Sequence, residues 1–124
     1  MLAGTYCFVS SFNQYWLLDT GATDHICCKL ENFDTYYPLK GENNFITIPD
    51  GRRVKATHKG TIQINELLQL NHVLFVPDFQ YNLISVHNLC KDFGCSVVFT
   101  DGQCYIQDLF WKGQSMPLGK QKQG

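Results

Sequence analysis

Tyr15-Trp16-Leu17-Leu18 is an unbroken apolar run that stops on Asp19, and it constrains the fold more than any other stretch of the chain. The run is too short for a helix and suits a strand covered on both faces. Asp19 follows directly, so its carboxylate is carried out of water and needs hydrogen-bond donors or a proton. Thr20 offers a hydroxyl, and Gly21 allows close backbone approach with its N–H aimed at the acid. Ala22 is small enough for a neighbouring strand, or a second copy of the same loop, to come near.

Strand signals recur along the chain. Residues 44–57 hold two extended segments around the turn chemistry of Pro49-Asp50-Gly51. Residues 60–65 alternate, with Ile62 and Ile64 on one face, and 67–77 form a long or bent strand stopped by Pro77. Residues 95–109 form a hairpin, because Asp101-Gly102 suits a two-residue primed turn. One helix competes: Leu83, Val86, Leu89, Cys90 and Phe93 fall at helical spacing, with Asn82 as N-cap and Gly94 as stop. Short strands plus one helix predict a mostly-β domain, a small barrel or sandwich.

At 124 residues with 44% apolar content, the chain holds one domain with one core. Residues 1–14 read as an N-terminal segment and potential edge strand, 15–110 as the domain, and 111–124 as a flexible polar tail. The net charge is −1, and the basic clusters are limited to Arg52-Arg53-Lys55 and Lys120 with Lys122, so nucleic acid is not the expected partner. No apolar run approaches the roughly 18 residues that span a bilayer, and the N-terminus lacks a basic leader. A cytosolic protein, or a piece of a longer one, is expected.

The six cysteines do not follow zinc spacing; reduced, buried thiols are the simpler expectation. A zinc module of His25, Cys27, Cys28 and Cys90 or Cys95 is kept as an alternative. So is an Asp24-His25 pair activating Cys27 or Cys28 as nucleophile, although residues so close along a strand seldom face one another. His58, His72 and His87 read as ordinary surface or packed histidines.

Two acids like Asp19, brought together, cannot both ionise; they share a proton, so one activates water while the other protonates a carbonyl. The stretch "LLDTGATDH" resembles the active-site loop of retropepsins. With "WLLDTGATDHIC" and "LNHVLFVPDFQYNLISVHNLC", it is similar to the protease region of copia-type retrotransposon polyproteins. The resemblance covers roughly residues 15–110 and implies a small closed β-barrel of the retropepsin type. It implies that Asp19 is catalytic, that the Thr20 hydroxyl braces paired loops, and that the Gly21 backbone steadies the dyad. Ala22 and Asp24 are implied beside the substrate, under a flap at Pro49, Asp50 and Gly51, with His58-Lys59-Gly60 as a second candidate for the tip. The glycine-centred turn that retroviral members carry after their last core strand is replaced here by Asn82-Leu83-Ile84-Ser85.

The chain has one Asp-Thr-Gly, so a C2 homodimer is expected to supply the second acid. The implied substrate is an extended segment of the parent polyprotein, the implied setting the cytoplasm within virus-like particles, and no cofactor is required. A reading from a different class is a catalytically inactive, retrotransposon-derived β-barrel that binds a partner.

Overall fold

The computed structural model describes residues 6–11, 14–48, 51–66, 68–100, 103–108 and 115–122. Strands β1 (Tyr6–Ser11) and β2 (Gln14–Asp19) pair antiparallel along their full length. β3 (Ile26–Cys27) follows the loop after Asp19, and a 3-10 turn (Leu30–Asn32) leads into β4 (Thr35–Pro38). β5 (Phe45–Thr47) and β6 (Arg53–Lys55) make a separate two-stranded sheet. The chain continues through β7 (His58–Gln63), β8 (Gln69–Phe75), β9 (Leu83–Ser85) and helix α1 (Val86–Phe93). It ends with β10 (Cys95–Thr100), β11 (Gln103–Asp108) and β12 (Ser115–Lys122).

The main sheet runs β10-β11-β12-β1-β2-β9-β3-β8-β7-β4. Most ladders are antiparallel, but β2 runs parallel to β9 and β3 parallel to β8. The expected closed barrel is not found: among the described residues β10 and β4 are edges with no pairing between them. β4 is exposed throughout and ends at Pro38, which has no N–H to offer a further strand.

The described residues depart from expectation at four further places. β1 is not an edge strand, because β2 and β12 flank it. Residues 115–122 belong to β12, paired with β1 and β11, rather than to a free tail; polar composition did not prevent ladder formation in a segment with two partners. The helix starts three residues later than Asn82 as N-cap implies. Ser85 is the cap, its hydroxyl accepting the Asn88 N–H at 3.2 Å, and Leu83–Ser85 is strand. Asn82 is committed elsewhere: its carbonyl oxygen accepts the Cys28 N–H at 3.2 Å and its amide donates to the Tyr15 carbonyl at 3.3 Å. Gly94 does end the helix, in the left-handed conformation at φ 60°.

β7 and β8 pair with a shift between Gly60 and Ile62, and His72 on β8 is left-handed at φ 57°. The extra residue makes a bulge that bends the strand. Gly60 crosses β4 so closely that a Cβ there would sit 1.9 Å from the Thr35 carbonyl oxygen. His58, Lys59 and Gly60 are thus interior to a ladder between β4 and β8, not a flap tip.

Strand alternation divides the apolar residues into two clusters. Trp16, Leu18, Cys27, Ile84, Leu89, Leu70 and Val73 belong to the first. Leu17, Ile26, Leu83, Ile48, Val54 and Phe79 belong to the second. β2, β3 and β9 contribute to both, so these strands are the partition between them. Asp19 lies on the Leu17 face by the same two-residue period.

Candidate active site

Asp19 ends β2 with only 1% of its surface exposed. Its Oδ1 accepts the Gly21 N–H at 2.7 Å, the bond the loop sequence called for. Burial raises the Asp19 carboxyl above the ordinary carboxylate range, and the Gly21 hydrogen bond holds part of that rise back. The acid is therefore biased toward keeping a proton, while one oxygen retains a fixed donor.

The loop after Asp19 is fastened to the junction of β9 and α1. Asp19 is the register partner of Ser85 in the parallel β2–β9 ladder. The Ser85 hydroxyl donates to the Ala22 carbonyl at 2.8 Å while capping the helix, and the Asn88 amide donates to the Thr23 carbonyl at 2.9 Å. The Ser85 N–H donates to Nδ1 of His25 at 2.9 Å. His25 is 1% exposed, and burial pushes its imidazole down to about 4. The neutral ring that accepts this bond is thus the form its surroundings favour.

A cleft of about 460 Å³ opens over the acid. Asp19, Gly21, Ala22 and Asp24 line one side, and Phe45, Ile46, Thr47 and Ile48 of the β5 hairpin line the other. The hairpin is closed by the Gly51 N–H donating to the Ile48 carbonyl at 2.9 Å, with Gly51 left-handed at φ 91°. The Arg53 guanidinium stacks 5.1 Å from the Phe45 ring centroid.

Four of the sequence-derived candidates, Asp19, Gly21, Ala22 and Asp24, meet at this cleft. Thr20 is exposed and does not line it. Pro49 and Asp50 lie outside the described residues; Gly51 is at the turn, and the cleft wall is β5 itself. Asp24 accepts the Thr23 hydroxyl at 3.1 Å.

The Cys–His alternative is not assembled here. His25 Nδ1 takes a backbone N–H, and Cys27 points into the first core, its thiol donating to the Lys29 carbonyl at 3.3 Å. Burial pushes the Cys27 and Cys28 thiols up, away from the nucleophilic thiolate. Among the described residues no three His, Cys, Asp or Glu side chains gather as a metal site.

Ser85, Asn88 and the β5 wall were not assigned to the site from sequence, and His25 was weighed only as a zinc ligand or as the partner of a cysteine nucleophile. Ser85 carried a usable signal, since serine is among the preferred residues just before a helix. The contact of His25 with Ser85 spans sixty residues and no local pattern encodes it.

Residues 16–108 match the family described as Pol polyprotein, beta-barrel domain. The chain belongs to this family, a domain of retrotransposon Pol proteins. It is 38% identical over 97 residues to the retrovirus-related Pol polyprotein from transposon RE2 of Arabidopsis thaliana, covering 76% of this chain and 7% of that one. It is 35% identical over 97 residues to the transposon RE1 counterpart from the same plant, covering 76% of this chain and 6% of the polyprotein. A putative Ty5-1 transposon protein of Saccharomyces cerevisiae is 34% identical over 71 residues, 57% of this chain and 47% of that protein. The chain thus spans less than a tenth of the length of the two plant polyproteins. No solved structure matches it.

Proposed function

We propose that the chain is the aspartic endopeptidase of a copia-type retrotransposon Pol polyprotein, acting as a homodimer. One observation carries this reading: Asp19 is held out of water at the end of a strand, beside a cleft, with the Gly21 N–H on one oxygen. Two such loops around a two-fold axis would bring two acids with upward-shifted affinity for protons together, and the pair would retain one proton between them. The ionised partner accepts a proton from water as the water attacks the scissile carbonyl carbon. The protonated partner hydrogen-bonds to the carbonyl oxygen and then donates its proton there. An extended polyprotein segment would lie between the loop and the β5 hairpin, where Ile46 of β5 and Ile48 just after it would supply apolar contact. Processing would take place in cytoplasmic virus-like particles.

The test is digestion of a Pol-derived peptide library at pH 4–7 by the native chain and by Asp19→Asn. The variant is expected to lose at least about a hundredfold in kcat, the usual scale for removing a general acid–base group. Unchanged cleavage by Asp19→Asn would sink the assignment.

A second reading is favoured by one feature: Asp19 is almost fully covered within a single chain, and each chain carries one Asp-Thr-Gly. A non-catalytic binding domain would need no more than that. Gel filtration with a pepstatin-like inhibitor separates the two, since an inert monomer that ignores the inhibitor supports the binding domain.

A further inference from the structure

We propose that His25 is a positioning residue, its neutral imidazole serving as the acceptor that fixes the acid-bearing loop against the β9–α1 junction. The inference rests on the proteolytic reading for its kinetic consequence, but the latch itself is defined by geometry. His25 Nδ1 accepts the Ser85 N–H at 2.9 Å, and both residues are buried, at 1% and 0% exposed. Ser85 is the ladder partner of Asp19, and its hydroxyl holds the Ala22 carbonyl. One residue therefore ties down both ends of the stretch from Asp19 to His25.

An imidazolium has two N–H donors and no acceptor. Adding a proton at Nδ1 would set one N–H against another in a site where water cannot replace the lost partner. The surrounding charges do not prevent this by themselves. Asp24 on the loop and Asp92 on α1 favour the cation, and His72 on β8 opposes it. Burial outweighs the carboxylates, which is why the ring stays neutral down to about pH 4. Asp19 titrates beside the same junction, so a test has to remove it.

Two substitutions separate acceptor from shape. His25→Asn places an amide oxygen close to where Nδ1 sits and does not titrate; His25→Leu removes the acceptor. With full-length chain and a cleaved peptide, His25→Leu is expected to lower kcat by roughly ten- to hundredfold, as for a displaced reacting group, with a smaller change in KM. His25→Asn is expected to recover most of that loss. In parallel, the Ser85 amide nitrogen resonance is followed from pH 7 to 3 in an Asp19→Asn chain. It is expected to shift with a midpoint near 4 when His25 is present and to lose that shift in Asp19→Asn/His25→Asn. Equal kcat in all three chains, or a Ser85 shift that persists without His25, would overturn the latch. Should His25→Leu fail to fold, the Asn variant and the amide titration decide. A wild-type chain that cuts nothing at any pH refutes the proteolytic reading instead; the latch then stands or falls on the Ser85 shift.

Discussion

Asp19 and His25 respond to acid in opposite directions. The folded chain raises the affinity of Asp19 for a proton, so folding is favoured while that acid is protonated and loses ground as pH climbs through the carboxylate range. His25 runs the other way: its folded value of about 4 lies below the 6.5 of the free side chain. Stability is then fully present above about pH 6.5 and falls as pH drops toward 4, by about 3 kcal/mol over the window. Thermal melts in dilute solution should show both. Asp19→Asn is expected to raise the midpoint at pH 7 and to change little at pH 3, where the unfolded acid also holds its proton. His25→Asn is expected to flatten the acid-side decline between pH 6.5 and 4. An unchanged acid limb in His25→Asn would show that the buried imidazole is not its source.

At the scale of elements, the glycine at 60 and the serine at 85 do what their neighbours cannot. Gly60→Ala would push a methyl group into the Thr35 backbone, and overpacking of that kind costs about 1–3 kcal/mol. Urea titration checks it, and β4 should be the strand that detaches. Ser85→Ala removes the helix cap and the Ala22 tie together, with an expected loss of about 1–2 kcal/mol. The elements themselves were largely legible. The apolar run at 15–18, the alternation around Ile62 and the two runs flanking Asp101-Gly102 each coincide with a strand, and Gly94 with the helix stop. Asp19 and Gly21 could be read as an acid with a backbone donor, because that bond is made within three residues. The junction was harder. Leu83 fits a helical spacing and a buried strand equally, and only its pairing beside Leu17 settles which it is. Whether the sheet closes was not legible either, since the pairing or non-pairing of distant edges such as β4 and β10 leaves no local trace.

For the whole molecule, a single Asp-Thr-Gly in the sequence makes concentration the variable that tests a shared site. If two copies build one site, the rate per chain should fall on dilution below the dimer's dissociation constant, and the total rate should then scale with the square of concentration. A rate per chain that stays flat to monomeric dilution excludes the shared site. The partition formed by β2, β3 and β9 has its own consequence. The first cluster is bounded by strands of the main sheet and α1, whereas the second is covered partly by the small β5–β6 sheet. Amide exchange should therefore fall into two classes, with hairpin protons escaping through a cheap partial opening and those of β2 and β8 waiting for global unfolding. The enclosure over Asp19 could then admit a bulky chain without melting the half of the protein that keeps the acid in place.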